Sequence, residues 1–222
     1  MKTIAVLAFS IALSSLSLAQ TAEQIMSAVR QSAVLQENQV LQGVIRKGPK
    51  KVPITLFLKG QDIQFVIDGG KEGFHLRLKK EEQELWEIVE GKPRRFQDEK
   101  IGAPIAGTDL SYEDLALKFL YWKNPWIVGT QKLNGMDCWY LHVINPDKTG
   151  RYREVSVWVT KKHMALARVL GYGPKPDKAP LKQFEIIDVM KVNGVFTVET
   201  MKVTQYAKDR TVSGVTYLEF DK

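Results

Sequence analysis

The stretch Val52-Pro53-Ile54-Thr55-Leu56-Phe57-Leu58-Lys59-Gly60-Gln61-Asp62-Ile63-Gln64-Phe65-Val66-Ile67-Asp68-Gly69-Gly70 sets the class of fold. Ile54, Leu56 and Leu58 recur at every second position, with Thr55 and Phe57 between them. Gly60-Gln61 breaks the run, and Ile63, Phe65 and Ile67 repeat it. Successive side chains of a strand point to opposite faces, so period-two alternation interrupted by glycine turns predicts antiparallel strands joined as hairpins. The pattern extends outward in both directions. Before it lies Val40 to Arg46; after it come Phe74 to Lys80, Leu85 to Val89 and Arg94 to Gln97. Beyond Trp126 it resumes with Ile127 to Leu133, Cys138 to Asn145, Tyr152 to Thr160, Met164 to Tyr172, Leu181 to Val192, Phe196 to Tyr206 and Val212 to Phe220. Asn134-Gly135 and Asn193-Gly194 fall between two such runs each, the dipeptide that two-residue hairpin turns prefer. About eleven strands are expected, without the strand–helix alternation of a parallel sheet.

Two segments interrupt the strands. Thr21 can cap a helix, with Gln24 completing a capping box, and Ile25, Met26, Val29, Ala33 and Val34 recur near helical spacing. A helix of about 14 residues is marginal alone, so its apolar face needs a sheet to rest on. The second segment is Gly107-Thr108-Asp109-Leu110-Ser111-Tyr112-Glu113-Asp114-Leu115, continuing through Phe119 and Trp122 to Pro125-Trp126. Ser111 can cap with Asp114 three positions on, and Leu115, Phe119 and Trp122 follow at helical spacing until Asn124-Pro125 stops them. A helix N-terminus favours negative charge, which accounts for Asp109, Glu113 and Asp114 without catalysis. A sheet this long must curl. The expectation is a mainly β protein with some α, a curved antiparallel sheet forming an incomplete, half-open β-barrel covered by helices. Its concave side would be lined by Phe57, Phe65, Leu76, Trp158 and Phe196, with Ile25, Val29, Leu115, Phe119 and Trp122 on the helical lids.

The N-terminus reads as a secretory signal: Lys2, an apolar run from Ile4 to Leu13, then Ser17-Leu18-Ala19 with small residues where a signal peptidase reads. Cleavage is expected after Ala19, leaving residues 20–222 as one domain in the periplasm. The formal charge is +7 over 222 residues. Basic pairs such as Lys50-Lys51, Arg94-Arg95 and Lys161-Lys162 flank turns and strand ends, where they also discourage sheet-to-sheet pairing. No nucleic-acid motif accompanies them. Cys138 is the only cysteine, so no internal disulfide can form.

The residues support no enzyme, metal site or cofactor. His75, His142 and His163 are scattered among basic neighbours, whereas metal ligands cluster. Cys138 and His142 share a strand face but lie about 13 Å apart, too far for a nucleophile and its base. The positive signal is apolar: Phe119, Tyr121, Trp122, Trp126, Trp139 and Trp158 either line a pocket or fill the barrel.

Gly107, Thr108, Asp109, Ser111, Tyr112, Glu113 and Asp114, with Tyr140-Leu141-His142-Val143, Val155-Ser156-Val157-Trp158-Val159 and the tail from Phe184 to Phe220, resemble the outer-membrane lipoprotein-sorting proteins of the LolA-like superfamily. The resemblance implies an incomplete antiparallel barrel capped by helices, with a cavity for acyl chains. It implies a non-enzymatic periplasmic carrier whose partners are lipoprotein acyl chains or other lipid, an inner-membrane transporter and an outer-membrane acceptor. An envelope interaction or sensor domain using the same curved sheet without a lipid cargo is the alternative.

Overall fold

The computed structural model describes residues 20–34, 38–89, 91–174 and 179–221. The expected signal segment, residues 1–19, lies outside them. The first helix, α1 (Ala22–Val34), carries the capping box read from the sequence: the Thr21 N–H donates to Gln24 Oε1 at 2.8 Å and the Gln24 N–H donates to Thr21 Oγ1 at 3.2 Å.

Thirteen strands follow among the described residues, against the expected count of about eleven; each of the strand-like runs named from the sequence forms one. The first meander is β1 (Gln39–Lys47), β2 (Lys50–Lys59), β3 (Asp62–Ile67), β4 (Glu72–Leu78), β5 (Gln83–Val89) and β6 (Lys92–Arg95). The second is β7 (Trp126–Leu133), β8 (Met136–Ile144), β9 (Glu154–Thr160), β10 (Leu166–Tyr172), β11 (Pro180–Val192), β12 (Val195–Tyr206) and β13 (Val212–Phe220). Both Asn-Gly dipeptides form their hairpins, with φ of 49° and 80° at Asn134-Gly135 and 49° and 86° at Asn193-Gly194. Two consecutive positive φ values define the turn whose twist matches paired strands.

All strands belong to one antiparallel sheet, ordered β6-β5-β4-β3-β2-β1-β13-β12-β11-β10-β9-β8-β7. The two meanders join where β1 meets β13, with Gly43 opposite Phe220 and Arg46 opposite Tyr217. The sheet is curved and does not close into a barrel: β6 and β7 are its two free edges. The chain between them, residues 96–125, must therefore travel from one edge to the other. It holds α2 (Tyr112–Ala116) and a 3-10 turn at Lys118–Tyr121.

One continuous core fills the inner side of the sheet. Ile25, Met26 and Val29 of α1 and Leu115, Phe119, Leu120 and Trp122 of the linking segment pack onto inward residues from every strand group, among them Ile54, Phe65, Leu76, Leu141, Val157, Val203 and Leu218. A smaller apolar cluster of Leu133, Cys138 and Trp158 is separate from it, with Tyr140, Ala167 and Leu170 against it. On β9, Val155, Val157 and Val159 belong to the main core while Trp158 belongs to the small cluster, as alternation requires. Among the described residues no helix is long and apolar enough to cross a membrane.

Candidate functional site

The Gly107–Leu115 stretch does more than begin a helix. Ser111 and Asp114 form the expected capping box: the Ser111 N–H donates to Asp114 Oδ2 at 2.8 Å, and the Asp114 N–H reaches Ser111 Oγ at 3.4 Å. The helix then runs only to Ala116. Leu117 sits in the left-handed region (φ 49°, ψ 41°), so Phe119 and Trp122 lie beyond a break rather than on one continued helix. That corrects the spacing read from the sequence.

The carboxylates are fastened to the sheet. Asp109 accepts from Lys47 Nζ of β1 at 2.7 Å and from Thr216 Oγ1 of β13 at 2.9 Å, so it ties together the two strands where the meanders meet. A Cβ at Gly214 would fall 2.6 Å from the Asp109 carboxylate; only glycine leaves that approach open. Thr108 Oγ1 donates to the Ile105 carbonyl at 2.8 Å and accepts from the Leu110 N–H. Tyr112 O–H donates to Glu72 of β4 at 3.2 Å, and its ring meets Phe74 edge-on and tilts against Phe96. Burial first, then the Glu72 charge, pushes the Tyr112 phenol up to about 12. Asp114 accepts from Tyr152 O–H and from Lys182 Nζ of β11, both at 2.6 Å, and the Lys182–Asp114 pair is fully buried. The helix dipole is thus only part of the reason for these acids: Asp109 and Asp114 are also anchors, reaching β1, β13 and β11.

Glu113 is the exception. Its Oε2 accepts from the Arg151 N–H at 2.8 Å, while its buried Oε1 has no hydrogen-bond partner among the described residues. Burial raises its pKa, against the pull of the backbone N–H groups of Arg151 and Tyr152. A carboxyl whose folded pKa lies above its unfolded value favours the fold when protonated. That stabilisation is complete below the unfolded value, near 4.5, and is lost as pH rises through the folded value. Glu113→Gln, which cannot ionise, is therefore expected to raise the melting temperature at pH 7.5 by roughly 2–4 °C, about 1 kcal/mol in a chain of this size. Near pH 4 the gain should vanish. Thermal melts at both pH values check this, and an equal gain at both would count against it.

A cavity of about 30 Å³ lies between this segment and the second meander. Leu117 and Phe119 border it from the linking segment; Val155, Val169, Phe184, Ile186 and Met201 border it from β9 to β12, together with Glu113, Asp114, Tyr152 and Arg168. That volume holds a water or two and no acyl chain.

Of the residues expected to line the hollow or its lids, Ile25, Val29, Phe65, Leu76, Leu115, Phe119 and Trp122 meet in the main core, and Phe119 borders the cavity. Three are corrected. Phe57 is 42% and Phe196 63% exposed, because their strands turn the alternate residues inward. Trp158 faces the small cluster, stacked on Tyr140 at 4.6 Å and donating to Gln131 Oε1 at 2.8 Å. Lys182 and Tyr152 were missed. Lys182 left a signal: it shares strand parity with Phe184 and Ile186, and a lysine in phase with apolar residues needs a buried acid. Arg30 of α1 donates to the Leu120 carbonyl and lies 5.2 Å from the Tyr121 ring centre, joining the helix to the linking segment. Among the described residues no group of three His, Cys, Asp or Glu side chains is placed to hold a metal ion.

The fold has solved counterparts. A LolA superfamily protein from Nitrosomonas europaea superposes with a TM-score of 0.67 at 16% identity, covering 92% of this chain and 93% of that one. An outer membrane lipoprotein-sorting protein domain from Vibrio parahaemolyticus gives 0.66 at 16% identity, covering 88% and 90%. A DUF1329 family protein from Desulfovibrio piger gives 0.65 at 20% identity, covering 89% and 90%. Among curated proteins none matches the sequence. A family model described as "Uncharacterized protein" matches residues 74–222, more than half of the chain. The chain therefore belongs to the family that this model describes, and its architecture is the LolA-like one: an unclosed, curved antiparallel sheet with helical segments over its inner face.

Proposed function

We propose that this protein is a periplasmic carrier that takes acyl chains of lipoproteins, or of other lipids, between its sheet and its linking segment and passes them towards the outer membrane. Residues 1–19 then serve as the signal peptide, removed after Ala19, and residues 20–222 act as one domain. An inner-membrane transporter would load it and an outer-membrane acceptor would receive the cargo. The task is one of shielding and release and needs no catalytic group. An acyl chain of about 15 methylenes costs on the order of 12 kcal/mol to expose to water.

The observation that carries this reading is topological. Residues 96–125 bridge the two free edges of an unclosed sheet and lay Leu115, Phe119, Leu120 and Trp122 on its apolar face. The cover has a fixed part and a releasable part. Up to Ala116 it is held by Asp109, Tyr112 and Asp114 through polar bonds to the sheet. Past the left-handed Leu117, a conformation that costs a non-glycine residue roughly 1–2 kcal/mol, Lys118–Tyr121 rests on apolar contacts, on the bond from Arg30 and on one from Lys118 Nζ to Thr149 Oγ1 at 3.2 Å, without a buried ion pair to the sheet. Swinging that part with α1 would enlarge the small cavity while the anchors stay in place.

The 30 Å³ volume favours one rival, an envelope interaction or sensor domain whose core is filled by its own side chains. Native mass spectrometry of freshly purified protein separates the two. Lipid adducts, with a fluorescent fatty acid taken up by the lipid-stripped sample and displaced by a lipopeptide, are the expected result. A bare mass together with no uptake would leave the interaction domain standing.

A further inference from the structure

The cavity is apolar on nearly every side but one. Asp114 is matched by Lys182 and Tyr152, and Arg168 is held by Glu185 at 3.0 Å from its Nε. Glu113, 3% exposed, borders the same space with one oxygen unmatched. Gly150 (φ 76°) gives that oxygen its room, since a Cβ there would sit 2.3 Å from it. A buried acceptor without a donor is costly, and an incoming donor recovers the cost. A second carboxylate beside Glu113 and Asp114 would add like-charge repulsion in a low-dielectric space.

We propose that the cavity selects amphiphiles whose apolar chain ends in an N–H donor, an amide or an ammonium, and that Glu113 Oε1 accepts that hydrogen. This rests on the carrier reading above and adds the chemistry of the head group. Phe119, Val169, Phe184 and Met201 would receive the first methylenes beyond the head once the cover moves.

Titration calorimetry with chains of one length tests it. N-dodecylacetamide and dodecyl acetate differ at the linking atom, N–H against O. Dodecylammonium tests the charged donor, and dodecanoate the excluded anion. The intact, lipid-stripped protein is expected to bind the amide at least tenfold more tightly than the ester, and dodecanoate most weakly. Glu113→Leu should bring amide and ester to within twofold of each other. The ammonium arm tells the two sources apart: amine lipids if it outbinds the amide, N-acylated heads if the amide leads. Amide and ester bound equally by the unmodified protein would overturn the head-group preference while leaving the carrier reading intact. So would dodecanoate binding tightest. A failure of all four to bind would overturn the carrier reading itself. If Glu113→Leu does not fold, the amide–ester pair on the unmodified protein still decides.

Discussion

Lys182→Met is expected to destabilise the fold by about 3–5 kcal/mol, the cost of leaving one member of a buried ion pair alone. Lys182 Nζ lies 2.6 Å from Asp114 Oδ2, and neither side chain reaches solvent. Without the ammonium, Asp114 keeps Tyr152 O–H and the Ser111 N–H, two donors that do not neutralise its charge. In a chain of this size each kcal/mol moves the melting temperature by about 2–4 °C, so a drop on the order of 6–20 °C is expected at pH 7. The pair need not be strongly stabilising for this to hold, because a buried ion pair is often near break-even against an uncharged replacement. Adding Asp114→Asn removes the stranded charge; its amide oxygen can accept from the Ser111 N–H while its NH2 donates to the Tyr152 hydroxyl oxygen. The double variant should recover at least half of the loss, a coupling that a double-mutant cycle measures directly. A loss under about 1 kcal/mol for Lys182→Met would show that water reaches Asp114 and that the anchor is not dry.

That anchor marks the boundary of what the sequence reveals. Alternation at Ile54, Leu56 and Leu58 and at Ile63, Phe65 and Ile67 is a local signal, and so are the Asn-Gly turns and the two capping boxes; each appears in the structure where the residues put it. Which face of a strand meets the core is not local when both faces are apolar. On β9 every residue from Val155 to Thr160 is buried, so parity alone could not send Val157 to the main core and Trp158 to the outer cluster. The pairing of β1 with β13 joins residues more than a hundred positions apart, and no short motif announces it. The destinations of Asp109 and Asp114 follow from that pairing and from the curl of the sheet. The motif was legible as a motif, its bonds to Lys47, Thr216 and Lys182 were not, and the break at Leu117 has no glycine to signal it.

Phe119→Ala should cost about 3–5 kcal/mol, as large-to-small changes of buried aromatics do, and the way it fails should be informative. Phe119 is 6% exposed and borders the existing cavity, so its loss would merge a ring-sized void with that space. Apolar voids stay dry and take up apolar molecules. A ligand that binds only the folded form stabilises it by mass action, about 2.7 kcal/mol when present at a hundred times its dissociation constant. Saturating n-hexane is therefore expected to return a large part of the lost melting temperature to Phe119→Ala. Trp122→Ala is the comparison: Trp122 is 5% exposed in the same core, past the same break, but does not border the cavity. It should lose as much stability and gain little from hexane. Rescue confined to Phe119→Ala would place the point of entry for an apolar chain between the releasable part of the cover and strands β9 to β12. Equal rescue of both variants would mean that any void in this core accepts hydrocarbon. Rescue of neither would mean that the core collapses around a missing ring, and a core that closes over its own gaps has no room to offer an acyl chain.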